Sequence, residues 1–223
     1  AAMTFAPMSF AQQAPEKKDV TIAVGGKSLY YYLPLSIAEQ LGYFKDEGLN
    51  VKIVDFQGGS RSLQAVVGGS ADVVSGAFEH TISMQAKKQP MTAFVLQGRA
   101  PQLALVVSNK TMKDYKQLSD LKGKKVGVTA PGSSSQMVAN FILKKGGLGP
   151  KDVAFIGVGS SSGAVSAIRS SQIDALINLD PVITILLKNG DAKLVADTRK
   201  VKESESFFGG TMPAGCLYAP VSF

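Results

Sequence analysis

Cysteine occurs once in the 223 residues, at Cys216, and histidine once, at His80. A lone cysteine excludes an internal disulfide and a cysteine-built metal cluster, and a lone histidine excludes a His-rich metal site. Cys216 lies in the apolar stretch Gly215-Cys216-Leu217-Tyr218 and reads as a small buried residue. No window approaches about 18 unbroken apolar residues, so no segment reads as a membrane-spanning helix. Basic runs are missing too, although the net charge is +7. The lysines fall in scattered pairs (Lys17-Lys18, Lys87-Lys88, Lys124-Lys125, Lys144-Lys145) without aromatic interleaving. That pattern describes a solvated, mildly cationic surface, and nucleic acid is not expected as a partner.

What is present is globular. An apolar fraction of 45% against 18% charged residues can bury a core, and the length suits one or two domains. Residues 1–19 read as a signal-peptide remnant and disordered tail, with Ser9-Phe10-Ala11 as a small-x-small cleavage site before Gln12. Export implies the bacterial periplasm, and no cysteine near that site could carry a lipid anchor.

Apolar patterning predicts strands over 20–24, 51–56, 71–75 and 92–96, separated by helices over 34–47, after Gly58-Gly59 and over 78–87. A second series has strands over 103–107, 125–129, 153–158, 175–178 and 193–196. Its helices run to Lys145, from Gly163, and after Asp180-Pro181. Residues 201–215 lead to a last short strand over 216–218. Such alternation predicts an α/β protein of two lobes, 20–100 plus 204–223 and 101–203, each a mostly parallel sheet flanked by helices, hinged around a ligand cleft.

One unit occurs twice. QGGSRSLQAVVGGSADVVSG (57–76) and GSSSGAVSAIRSSQIDALIN (159–178) share a strand–loop–helix–strand grammar at an offset of 102 residues. That offset sets Asp72 over Asp174, Ser60 over Ser162, Ala65 over Ala167, Val66 over Ile168 and Val73-Val74 over Ala175-Leu176.

In open α/β sheets ligands bind beyond the carboxyl ends of the strands. Five loops there, 25–30, 57–60, 76–79, 130–135 and 159–162, are rich in glycine and hydroxyl residues. Such residues let a ligand approach the backbone, and the first N–H groups of the following helices lack intrahelical partners. The helix dipole adds positive partial charge, so a carboxylate or sulfonate can be held without a lysine. Glycine and serine there also serve as ordinary caps; two lobes bearing matching loops, however, would form a cleft that closes on a bridging ligand. Candidate ligand contacts are Gly26, Lys27, Ser28, Gly58, Gly59, Ser60, Ala77, Phe78, Glu79, Gly132, Ser133, Ser134, Ser160, Ser161 and Asp180. Catalysis has little support: Ser133-Ser134-Ser135 lacks the Gly-x-Ser-x-Gly elbow, and His80 is the one histidine available as a base. No catalytic residue, metal or cofactor is expected.

The chain resembles the substrate-binding proteins of ATP-driven importers for nitrate, alkanesulfonates and taurine, with their relatives that bind thiamine-pyrimidine precursors. The resemblance is carried by Ile37-Ala38-Glu39-Gln40-Leu41-Gly42-Tyr43-Phe44, Glu47-Gly48-Leu49, Leu63-Gln64-Ala65-Val66 with Gly69-Ser70-Ala71-Asp72, Leu118 through Val126, Gly132-Ser133-Ser134 and Asp180-Pro181. It implies the type II periplasmic binding protein fold and a monomer that delivers a small organic anion to an ABC permease in the inner membrane. It also implies ligand contacts at Lys27 and Ser28, at Gly58 to Ser60, at Gly76 to Glu79, at Gly132 to Ser134 and at Asp180. A charged Glu79 would repel a bare oxyanion, so the ligand should also carry a donor or cation. Family members continue further as helix over the first lobe. The expectation is therefore exposed apolar surface there, counted against by near-complete burial of Ile22, Val24, Val54 and Val73. The alternative is a thiamine-pyrimidine synthase on the same fold, which uses a cysteine-rich loop and pyridoxal phosphate; one distant cysteine argues for a non-enzyme. An effector-sensing lobe pair of a transcription regulator would require a helix-turn-helix before Val20.

Overall fold

The computed structural model describes residues 15–223, so the predicted cleavage site at Ser9-Phe10-Ala11 lies outside the described residues. Among the described residues, ten strands form two five-stranded mixed sheets. The first takes β1 (Asp19–Val24), β2 (Asn50–Asp55), β3 (Val73–Ala77), β4 (Met91–Leu96) and β10 (Gly215–Pro220), in the order β2-β1-β3-β10-β4. The second takes β5 (Ala104–Ser108), β6 (Lys125–Val128), β7 (Ala154–Gly157), β8 (Ala175–Asn178) and β9 (Ala192–Asp197), in the order β7-β6-β8-β5-β9. Each sheet has a parallel three-stranded half and one strand, β10 or β5, antiparallel to both of its neighbours. The chain leaves the first sheet between Leu96 and Ala104 and returns between Asp197 and Gly215.

Helices connect the parallel strands: α1 (Leu33–Gln40), α2 (Tyr43–Asp46), α3 (Gly59–Val67), α4 (Glu79–Ala86), α5 (Ser134–Lys145), α6 (Ser162–Arg169) and α7 (Val182–Lys188), with α8 (Val201–Phe208) on the return crossing. The duplicated unit is reproduced hydrogen bond by hydrogen bond. Asp72 accepts from Thr21 N–H through Oδ2 at 2.8 Å while its own N–H donates to Thr21 O. Asp174 does the same with Lys125 at 3.0 Å. Ser70 N–H and Gln172 N–H close the preceding helices onto Ala65 O and Ala167 O.

Two expectations are corrected. The helix over 34–47 is broken in two, because Gly42 adopts φ +81°, a left-handed turn that ends α1 and starts α2. The stretch 201–215 contains α8, whose charged face hid a short helix that needs Phe207 and Phe208 packed on the core.

Packing follows the layers. The interior strands β8 and β5 are buried along their whole length, as strands covered on both faces must be. A continuous apolar cluster runs from Ile22, Val24, Leu29, Tyr31 and Tyr32 in the first sheet's half to Leu103, Leu105 and Val126 in the second. On the far faces, Ala164, Ile168, Ile183 and Leu186 seal the second sheet, and Ala65, Val66, Val74 and Tyr218 the first. Each buried Val, Leu or Ile among them contributes about 2 kcal/mol by leaving water. Ile22, Val24 and Val73 are buried and Val54 is half-buried, so the middle of the first sheet is covered. Exposed apolar groups of that half include Leu33 and Ile37 on α1, Leu41, Val67 on α3, Ile82 on α4, Phe94, Val95 and Leu96 on the edge strand, and Val221 and Phe223.

Candidate functional site

The carboxyl ends of the parallel strands in both sheets meet. Ser60, at the start of α3, donates its N–H to Ser133 Oγ at 3.0 Å; Ser133 Oγ donates to Ser60 Oγ at 3.2 Å, and Ser60 Oγ donates to Pro131 O at 2.9 Å. Ser133 is the N-cap residue of α5 but makes no capping bond within its own helix. Its hydroxyl is used across the gap between the sheets. Gly132 N–H is satisfied by Gln136 Oε1 at 2.7 Å, and Ser135 turns back to hold Thr129 N–H at 3.0 Å.

The approach is close enough to require glycine. A Cβ on Gly58 would crowd Ala130 at 2.9 Å, and one on Gly26 would overlap Ser160 Oγ. Both glycines also hold positive φ, +101° and +110°. Asp55, at the end of β2, fixes the first loop by accepting from Gly26 N–H at 2.7 Å and Lys27 N–H at 2.9 Å. On the other rim, Tyr30 N–H donates to Asp180 O at 3.1 Å.

Gly26, Gly58, Ser60, Ser133 and Ser160 are thus brought together, with Gly59 and Gly132 flanking them on either side of the His80 ring. Ser28 and Ser161 are exposed, and Ser134 is half-buried. Lys27 Nζ is drawn off to Glu39 at 2.6 Å. Asp180 is committed as well: Oδ1 accepts from Thr184 N–H and Oγ1 at 2.9 and 2.8 Å, and Oδ2 pairs with Arg199 at 3.1 Å. Arg199 also grips Asp197 at 2.8 Å, which makes it the clamp of that rim. Asp197 is a local partner two residues away, whereas Asp180 reaches Arg199 from the end of another strand.

Ala77 is buried and Phe78 half-buried ahead of α4. Glu79 opens that helix with Oε2 lacking a partner, and burial pushes its carboxyl up to about 7. It stands close enough to Tyr31, Cys216 and Tyr218 to raise their pKa values as well, after the larger effect of burial; the Cys216 thiol rises to about 12. His80 is buried, with Nδ1 2.8 Å from Tyr218 Oη, and burial lowers it to about 4. Cys216 is buried as its apolar setting predicts, whereas Tyr31 and Tyr218 escaped the sequence reading because they arrive from the turn before α1 and from β10.

Among the described residues no group of three or more His, Cys, Asp or Glu could hold a metal. Pyridoxal phosphate, expected of the synthase alternative, would need a free amine at the loop tips; Lys27 Nζ, on the first loop, is paired with Glu39.

The NMT1/THI5-like family model matches residues 30–198, most of the chain. The chain belongs to that family. A solved protein from Bordetella bronchiseptica RB50 is 63% identical and superposes with a TM-score of 0.91 over 93% of this chain and 65% of its own. The alkanesulfonate-binding protein SsuA from Xanthomonas axonopodis pv. citri, bound to MOPS, is 22% identical with a TM-score of 0.69, covering 94% of this chain and 68% of its own. The fold is that of type II periplasmic binding proteins. Among curated family members, the 4-amino-5-hydroxymethyl-2-methylpyrimidine phosphate synthase of Schizosaccharomyces pombe is 26% identical over 72% of this chain and 45% of its own length. The chain spans about half the length of the curated relatives it matches. Because these NMT1/THI5-like relatives are named as enzymes, the expectation of a non-enzyme is corrected. A missing cysteine-rich loop was too narrow a criterion for the whole family.

Proposed function

We propose that this chain is the ligand-capturing part of an ATP-driven importer, and that it holds a small organic anion between the loop tips of its two sheets. The observation that carries the reading is the Ser60–Ser133 junction. There a backbone N–H at the start of α3 is served by a hydroxyl oxygen from the start of α5. That oxygen stands where an oxygen of a carboxylate or sulfonate would accept, with two helix N-termini facing it. Residues 20–100 plus 204–223 and residues 101–203 are the two bodies that part and close, and a ligand touching both selects the closed form.

The buried, unpaired Oε2 of Glu79 narrows the ligand class. An anion that also brings a hydrogen-bond donor or an ammonium would satisfy both ends, as taurine and MOPS do and nitrate does not. Delivery to an inner-membrane permease, a periplasmic location and a monomeric state complete the reading.

Thermal-shift titration against alkanesulfonates, taurine, MOPS, nitrate, aliphatic carboxylates and pyrimidine phosphates tests it. Ligands selective for the folded state raise the midpoint. The expected result is a saturable rise for amino- or morpholino-sulfonates above simple oxyanions. A rise for pyrimidine phosphates alone would move the chain to the synthase side of its family, and no rise from the panel would end the proposal.

A further inference from the structure

A cavity of about 260 Å³ lies beside the loop tips, enclosed by α3, α4 and the Pro131-Gly132 turn, so that both sheets contribute walls. Its lining is apolar at Leu63, Val67 and Met84, and no acidic residue lines it. Lys87 stands exposed at its mouth. At its inner end is His80, 1% exposed, whose Nε2 makes no hydrogen bond of good geometry, although the Gly132 backbone lies beside the ring.

The state of that nitrogen follows from its neighbour. Tyr218 Oη is buried, and the one acceptor recorded for its proton among the described residues is His80 Nδ1, at 2.8 Å. With the phenol donating to Nδ1, the neutral ring carries its proton on Nε2. Burial keeps the imidazole neutral and the phenol protonated. The cavity therefore offers an inward N–H donor, an ammonium at the mouth and an apolar wall between them.

We propose that this cavity is a binding site for a small aliphatic acid, with the anionic head between His80 Nε2 and Lys87 and the tail along Leu63, Val67 and Met84. The match is one of charge and shape: a cation and a donor with no opposing carboxylate, in a volume below that of a drug-sized site. Because Pro131 and Gly132 come from one sheet and α3 and α4 from the other, an occupant would tighten the closed arrangement from the side. This site shares Ser60 and Gly132 with the loop tips but does not depend on a ligand there.

A single histidine in the sequence makes the test direct, since isotope-labelled histidine gives one imidazole signal set. Titration with hexanesulfonate should shift the Nε2 resonance saturably. Lys87→Gln should weaken that binding about tenfold, the loss of one charge-assisted contact. Val67→Phe, at a half-exposed position on the wall, should weaken it further. Binding of hexanesulfonate with an unmoved Nε2 signal, no binding at all, or full affinity in Lys87→Gln would each overturn the proposal. A null thermal shift with taurine and MOPS alongside a normal His80 response would count only against the loop-tip reading.

Discussion

Burial acts in opposite senses on two adjacent side chains. Glu79 is lifted from 4.5 to about 7, and His80 is lowered from 6.5 to about 4. The folded chain holds the Glu79 proton more tightly than the unfolded chain does. That contribution is therefore whole below about 4.5 and is lost as the pH rises through about 7. The shift amounts to about 3 kcal/mol, to order of magnitude. His80 works the other way: its contribution is whole above 6.5 and disappears as the pH falls through about 4. Urea midpoints should accordingly decline from pH 6 to pH 8 in the native sequence, and Glu79→Gln should remove most of that decline. An unchanged slope in the variant would show that Glu79 is not the group responsible. Gly26→Ala tests close approach at the same scale. Its φ of +110° would cost about 1–2 kcal/mol with a Cβ present, and the overlap with Ser160 would hold the two sheets apart. Ligand-induced thermal shifts should shrink or vanish in that variant while the circular dichroism spectrum stays native. The glycines and serines of this region were visible as loop chemistry. Glu79 was visible as a charge, but its unpaired oxygen was not, because Tyr31, Cys216 and Tyr218 surround it from distant parts of the chain.

Elements repeat more faithfully than side chains do. The offset of 102 residues survives as matched hydrogen bonds because Asp72 and Asp174 occupy the same station, accepting the N–H of a neighbouring strand just before β3 and β8 begin. Asp174→Ala leaves Lys125 N–H without that acceptor and should lower stability by about 1 kcal/mol, measured as a shift of the urea midpoint. Asp72→Ala should cost a similar amount if the two stations are equivalent. A loss at one position only would mean that the repeat is geometric and not energetic. Strands were legible because their apolar runs are short and bounded by Gly, Asp and Pro. The 34–47 segment misled because its apolar spacing continues through Gly42, although the left-handed backbone there separates two helices. Helix α8 was missed for the converse reason: its sequence is polar, and one end is anchored by Phe207 and Phe208 meeting the core.

At the scale of the molecule, the two sheets are joined by apolar contact behind and by the serine chain in front. The front contact is small and polar, so it should be the part that opens. Ser133→Ala removes both the acceptor of Ser60 N–H and the donor to Ser60 Oγ. Small-angle scattering of that variant without ligand should give a larger radius of gyration than the native chain; an identical profile would place the closing force elsewhere, with Arg199 and its grip on Asp180 and Asp197 as the next region to probe.

The sequence by itself determined the α/β alternation, the doubled unit and the hydroxyl-rich loops that end its strands, because each depends on residues near one another along the chain. Which loops touch, which carboxylates are spent on Arg199, and which buried polar atoms of Glu79 and His80 are left facing inward were decided only in three dimensions. Those outcomes turn on desolvation and on contacts such as Ser60–Ser133 and His80–Tyr218, 73 and 138 residues apart, and neither can be read from local spacing.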